Sequence, residues 1–135
     1  VNLTYYVQAL HFCIEVFWGS VAIGLLSVNI LMVNNYRDVE ADRLSGKKTV
    51  VVRFGHTFAR YAYLFNGVVA LLCTVNIWFS YYFRSIGAAI LFFCVHIITW
   101  RQMCILKGTA LNPVLGKTAR NLLIFTIFLS IFLIL

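Results

Sequence analysis

The chain has 135 residues, 62% of them hydrophobic and 11% charged, with a mean hydropathy of +0.91. Soluble domains carry roughly 25% charged residues, so this composition excludes an ordinary soluble domain and points to an integral membrane protein. The formal net charge of +7 does not signal nucleic-acid binding, because the basic residues fall between apolar runs, where orientation in a bilayer accounts for them.

Taken in order, Val1 to about Phe12 is aromatic and mildly polar, and Tyr5, Tyr6 and His11 suit a headgroup-level position. No signal-peptide pattern opens the chain, which begins at Val1, so it reads as a processed product or as part of something longer. A first span is predicted from about Ile14 to Val33, close to the roughly 20 residues a helix needs to cross a bilayer core. Glu15 stands at its start, and Gly19, Ser20, Ala22, Gly24 and Ser27 would let a neighbouring helix approach closely. Asn29, polar within this run, should face other helices. The helix is expected to continue past Val33 until Ser45-Gly46 interrupts it.

The β-branched run Thr49 to Phe54 reads as an extended connector or re-entrant loop rather than a lone unpaired strand. A second span follows from about Thr57 to Phe79, with His56 before it, Arg60 near its start and an aromatic cluster of Trp78, Tyr81, Tyr82 and Phe83 at its far end. A turn around Arg84 leads to a third span, Ser85 to Met103, in which His96 is expected to be a neutral histidine bonded to another helix. Arg101 to Arg120 reads as a polar connector, with Pro113 resisting helical continuation. A fourth span, Ala119 to Leu135, closes the sequence. Cys13, Cys73, Cys94 and Cys104 form no CxxC pair and read as small buried hydrophobes.

The loops set an orientation. Arg37, Arg43, Lys47, Lys48, Arg53 and Arg60 follow the first span, and Arg101, Lys107, Lys117 and Arg120 follow the third. These are ten of the eleven basic residues, and they share one side, which the positive-inside tendency makes cytoplasmic.

The chemistry concentrates in Val33 to Gly55, VNNYRDVEADRLSGKKTVVVRFG, which holds three of the four acidic residues. Asn34, Asp38 and Asp42 are spaced by four, and on a helix such residues lie one above the other on one face. An amide and two carboxylates in a row at the end of an apolar span, with Arg43, Lys47, Lys48 and Arg53 following, suit Mg²⁺ and, through it, a polyphosphate. The plainer alternative is a solvated connecting loop.

The stretch NNYRDVEADRLSGKKTVVVRFG resembles the second aspartate-rich motif of the UbiA superfamily of intramembrane prenyltransferases, closest to the branch that uses 1,4-dihydroxy-2-naphthoate in menaquinone biosynthesis. The later LNPVLGKTARNLL, Leu111 to Leu123, is similar to a stretch before the last helix of that branch. The resemblance implies an all-α transmembrane bundle of about nine helices around a central cavity, of which residues 1–135 would be the C-terminal part of a single domain. It implies Asp38 and Asp42 as catalytic residues, which with Asn34 would hold Mg²⁺. Asn34, Arg43, Lys47, Lys48 and Arg53 would bind the diphosphate of a polyprenyl diphosphate. The implied reaction transfers the prenyl group to dihydroxynaphthoate with release of diphosphate and CO₂, in the bacterial cytoplasmic (inner) membrane with the motif loop facing the cytoplasm.

The family's other aspartate-rich motif has no counterpart, since Glu15 is the only acidic residue outside the segment. One copy of this chain is therefore expected to be inactive alone. Two other readings stand beside this one. The first is a prenyltransferase of the same superfamily with another acceptor, such as 4-hydroxybenzoate. The second is a small non-enzymatic membrane subunit whose acidic loop binds a cation.

Overall fold

Four long helices build the protein. The computed structural model describes residues 2–75 and 82–134, with side chains for residues 2–75 and 86–131. A short α1 (Asn2–Ala9) precedes α2 (Ile14–Arg37), and the single-turn-and-a-half α3 (Val39–Leu44) follows it directly. Then come α4 (Val50–Cys73), α5 (Tyr82–Ile105), a 3-10 turn at Gly108–Leu111, and α6 (Asn112–Ile134). Helix α2 packs against α4 and α6, and α5 closes the ring by packing against the same two. Among the described residues there is no strand, and the fold is an all-α membrane bundle.

Three stretches are long and apolar enough to cross a membrane: Ile14–Arg37, Ile86–Ile105 and Gly108–Ile131. Helix α4, where the second span was expected, matches α2 in length at 24 residues but carries Arg53, His56, Arg60 and Asn66. Two of these work inside the bundle, where Arg60 Nε donates to the Tyr36 hydroxyl (2.8 Å) and Asn66 Nδ2 to Asn29 Oδ1 (2.9 Å).

Several boundaries differ from the sequence expectation, each for a local reason. Val50–Phe54 is helical rather than extended: Thr49, itself extended, caps the helix with its hydroxyl accepting from Val52 N (3.3 Å), and this cap outweighs the weak strand preference of the valines. The break falls at Gly55 instead, at φ 82° and ψ 174°, a backbone setting open in practice to glycine alone. Arg84 belongs to α5 and not to a turn. Pro113 sits in the first turn of α6, where a missing N–H costs no helix bond, so most of the expected connector up to Arg120 is helix. The aromatic cluster expected at Trp78, Tyr81, Tyr82 and Phe83 lies outside the described side chains. The cysteines are not buried: Cys13, Cys73 and Cys104 are half-buried and Cys94 is exposed.

The core has two apolar storeys with a polar floor between them. One storey joins Met32, Val33, Tyr36, Val39, Val51, Ala59, Met103, Leu111 and Val114; the other joins Ala22, Leu26, Ala70, Ala88, Phe92, Phe125 and Leu129. Between them Asn29 Nδ2 donates to the Tyr63 carbonyl (3.1 Å), as expected of a polar residue facing other helices. His96 Nε2 donates to the same carbonyl (3.2 Å), and its ring stacks on Tyr63 at 4.8 Å between centroids. The Tyr63 hydroxyl meets Thr118 Oγ1 (3.1 Å), and Asn121 Nδ2 donates to Thr99 Oγ1 (2.9 Å). Each of α2, α4, α5 and α6 contributes, which is how interhelical hydrogen bonds hold helices in an apolar medium. Gly67 makes room for the ring: a Cβ there would collide with His96 Nε2.

Candidate active site

The end of α2 carries the acidic row, and the row survives a break in the helix. Helix α2 stops at Arg37 and α3 starts at Val39, with Asp38 between them at φ −98° and ψ 10°. Asp38 N still donates to the Asn34 carbonyl (3.1 Å) and Asp42 N to the Asp38 carbonyl (2.8 Å). The one-above-another register of Asn34, Asp38 and Asp42 therefore runs through the junction. Helix α3 ends in a paired closure, Lys47 N to Asp42 O (2.9 Å) and Gly46 N to Arg43 O (3.2 Å), around Gly46. This is the expected Ser45-Gly46 interruption.

A cavity of about 800 Å³ opens beside this row, lined by the segment Tyr36 to Ala41, by His56 and Arg60 of α4, and by Lys107, Gly108, Thr109 and Asn112. The loops after α2 and after α5 meet here, which bears out the inference from charge that they share one end of the bundle. Asp38 is the acid of the predicted row that lines the cavity, with Glu40 beside it. Its carboxylate takes a fork from Arg37, Nε to Oδ1 and Nη2 to Oδ2, both at 2.7 Å. That guanidinium holds the Asp38 carboxyl below the ordinary carboxylate range; partial burial opposes the effect and the Lys47 charge adds to it. The same guanidinium reaches Asn34 Oδ1 and Asn112 Oδ1, each at 2.9 Å.

Asp42, only 6% exposed, stands with Lys47 Nζ at 3.3 Å rather than in the cavity lining. A buried carboxylate requires such a partner. Asn34 likewise lies just behind the lining, joined to it through Arg37. Arg43, Lys47, Lys48 and Arg53 are exposed outside it, Arg43 in a loose pair with Glu40 at 3.7 Å. The cations that do line it are Arg37, Arg60 and Lys107, which the sequence reading placed on the correct side and left without a role. Arg60 and Lys107 come from other segments, so adjacency to the acids could not single them out, whereas Arg37 directly precedes Asp38 in the chain and that position was the available signal for it. Arg60 is positioned by the Tyr36 hydroxyl and lies 5.7 Å from that ring's centre, while Trp100 Nε1 donates to the Arg60 carbonyl (2.9 Å). His56 stands edge-on to Tyr36 at 4.5 Å. Asn112 lay within the quoted LNPVLGKTAR stretch, which was the available signal for it.

The donor set suits a hard cation. Two carboxylates and an amide oxygen are all-oxygen ligands, and Mg²⁺ is usually held by one or two carboxylates, with waters and substrate phosphates completing its shell. Among the described residues no three His, Cys, Asp or Glu side chains form a metal-ligand group, so the protein's share of such a shell would be this partial one.

Comparison with known proteins gives the chain its family. The UbiA prenyltransferase family matches residues 1–112. The chain is 29% identical over 126 residues to the 1,4-dihydroxy-2-naphthoate octaprenyltransferase of Escherichia coli (strain K12), covering 90% of this chain and 40% of that protein. It is 36% identical over 73 residues to the 1,4-dihydroxy-2-naphthoate octaprenyltransferase of Haemophilus influenzae (strain ATCC 51907 / DSM 11121 / KW20 / Rd), covering 54% and 24% respectively. The chain thus spans well under half the length of the curated relatives it matches. No solved structure matches it. With five-sixths of its length matched, the chain belongs to the UbiA prenyltransferase family.

Proposed function

We propose that this chain supplies one aspartate-rich face of the active site of a Mg²⁺-dependent prenyltransferase acting in menaquinone biosynthesis. Its substrates are a polyprenyl diphosphate and 1,4-dihydroxy-2-naphthoate. The observation that carries the reading is the cavity in which the Asp38 carboxylate stands among Arg37, Arg60 and Lys107. Acid and base together are what a magnesium–diphosphate complex needs, whereas a simple anion needs only the basic groups and a neutral lipid needs neither. The names of the two relatives, both dihydroxynaphthoate octaprenyltransferases, support the acceptor.

In this reading Asp38, with the amide oxygen of Asn34, would hold the cation, and Asp42, one turn further along the row, would join them only on giving up Lys47. When bound, Mg²⁺ neutralises the diphosphate and lets it leave. Arg60 and Lys107 stabilise the charge that builds on the departing oxygens, a contribution that grows as the site excludes water. The allylic C–O bond breaks with its electron pair going to diphosphate. The ring carbon bearing the carboxyl group then forms the new C–C bond, and the C–CO₂ bond breaks to restore the aromatic ring. Apolar helix surfaces beside the cavity suit the prenyl tail. The basic residues gathered at this end of the bundle support a cavity that faces the cytoplasm.

The test is a competition assay with the full-length protein in membranes, offering labelled polyprenyl diphosphate to dihydroxynaphthoate, 4-hydroxybenzoate and homogentisate together. The reading predicts a Mg²⁺-dependent product from dihydroxynaphthoate with one CO₂ released per transfer. A 4-hydroxybenzoate product without CO₂ would overturn the acceptor, and no prenylated product at all would overturn the enzyme.

A further inference from the structure

We infer that Arg37 is a built-in substitute for the divalent cation: its guanidinium occupies the Asp38 and Asn34 oxygens and clips the two cavity loops together until a cation displaces it onto the diphosphate. The inference rests on the function proposed above and assigns how that same site is loaded.

One side chain makes all the relevant bonds. A guanidinium carries five N–H donors in a rigid fork. Here Nε and Nη2 take both oxygens of Asp38 at 2.7 Å, Nη2 also takes Asn34 Oδ1 at 2.9 Å, and Nη1 takes Asn112 Oδ1 at 2.9 Å. The three side-chain oxygens that Asn34 and Asp38 could offer a cation are thus engaged by one positive group. A cation taking these oxygens competes with Arg37 for their lone pairs and repels its charge.

The pair is placed for exchange. The Arg37 and Asp38 side chains are 25% and 35% exposed, so water reaches both partners and separating them costs little. By contrast the Asp42 side chain is 9% exposed and keeps Lys47 beside it. A displaced Arg37 stays in the cavity wall with Arg60 and Lys107, where a diphosphate offers paired oxygens for the same fork. Its departure also cuts the bond to Asn112, which stands 75 residues away at the first position of α6. That bond crosses from the last residue of α2 to the start of α6, directly after the 3-10 turn that follows α5. Loading the cation and loosening this loop are therefore one event.

Mn²⁺ binding to the detergent-solubilised protein, followed by electron paramagnetic resonance with no substrate present, separates the possibilities. Arg37→Gln should bind Mn²⁺ about tenfold more tightly than the parent, the scale of losing one exposed charge-assisted competitor. Asn112→Ala changes no charge, so a gain of a few-fold there reads the clip itself. Amide exchange over residues 107–112 should quicken on Mn²⁺ addition in the parent and be quick throughout in Arg37→Gln. Equal or weaker Mn²⁺ binding in both variants would overturn the inference while leaving the proposed function standing. Tightening in Arg37→Gln alone, with Asn112→Ala and the exchange unmoved, is a bulk charge effect and overturns the clip. If neither the parent nor Arg37→Gln binds Mn²⁺ in a way that Asp38→Asn abolishes, the cation reading itself fails and this inference fails with it.

Discussion

Two polar layers cross this bundle, and they are held in opposite ways. The middle layer of Asn29, Tyr63, Asn66, His96, Thr99, Thr118 and Asn121 lies between apolar storeys and closes on itself through hydrogen bonds. Among the described residues no buried side-chain nitrogen or oxygen lacks a partner. The end layer of Asn34, Arg37, Asp38, Arg60 and Lys107 is largely charged, half open and gathered at a cavity. An unpaired polar group in an apolar interior is expensive, so the middle layer is satisfied permanently and acts as frame. The end layer meets water, where partners can be traded at low cost. A polar residue in a membrane helix thus reveals its use by whether its bonds are closed or exchangeable.

The sharpest way to break this contrast is at Asp38. Asp38→Asn should lower Mg²⁺-dependent prenyl transfer by roughly 10²–10³-fold, the scale of losing one charge-stabilising group, with thermal unfolding little changed. A variant that kept its rate would remove the end layer's claim to chemistry. Gly67→Ala should act on the frame instead, because its Cβ would collide with the His96 ring and force it to move. A destabilisation of about 1–3 kcal/mol is expected, and the double variant with His96→Ala should be no less stable than His96→Ala alone. Full additivity in thermal unfolding would show that the two do not share the space.

Asn29→Ala should cost about 1 kcal/mol through two lost interhelical bonds, without altering the Mg²⁺ dependence of the assembled enzyme. A changed cation requirement would blur the two layers. A smaller effect is expected from pH. The folded Asp38 carboxyl titrates lower than it does in the unfolded chain, so its pairing with Arg37 stabilises at pH above about 4, the ordinary aspartate value. That contribution is lost as pH falls through the depressed value. In chelator, the stability gap between the parent and Asp38→Asn should be small but present at pH 6 and close on acidification; a gap that widened toward acid would reverse the sign. Smallest of all, Arg43→Gln should shift unfolding by no more than about 0.5 kcal/mol, because its 3.7 Å pair with Glu40 is well exposed.

The acidic row was legible in the sequence because a spacing of four needs only that the backbone bonds from Asn34 to Asp38 and from Asp38 to Asp42 persist, and they do. The meeting of the two basic loops was legible from charge alone. The partners inside the cavity were not. Arg43, Lys47, Lys48 and Arg53 follow the acids along the chain but stand exposed outside the cavity, while Arg60 and Lys107 arrive from other segments; of the lining cations only Arg37, directly before Asp38, was within reach of a reading by adjacency. Thr49–Phe54 misled because valine favours strands on average, whereas a cap at Thr49 and a glycine at 55 decide this particular turn. The pairing of His96 with Gly67 depends on which faces of α4 and α5 touch, which no local spacing encodes.

The most direct test of the account is equilibrium binding of geranyl diphosphate to the purified full-length protein, with Mg²⁺ and with chelator, in the parent and in Asp38→Asn. Binding that requires Mg²⁺ in the parent and is lost in Asp38→Asn is the result predicted. Equal binding in chelator, or undiminished Mg²⁺-dependent binding in Asp38→Asn, would contradict the claim that this cavity holds a diphosphate through a cation on the acidic row.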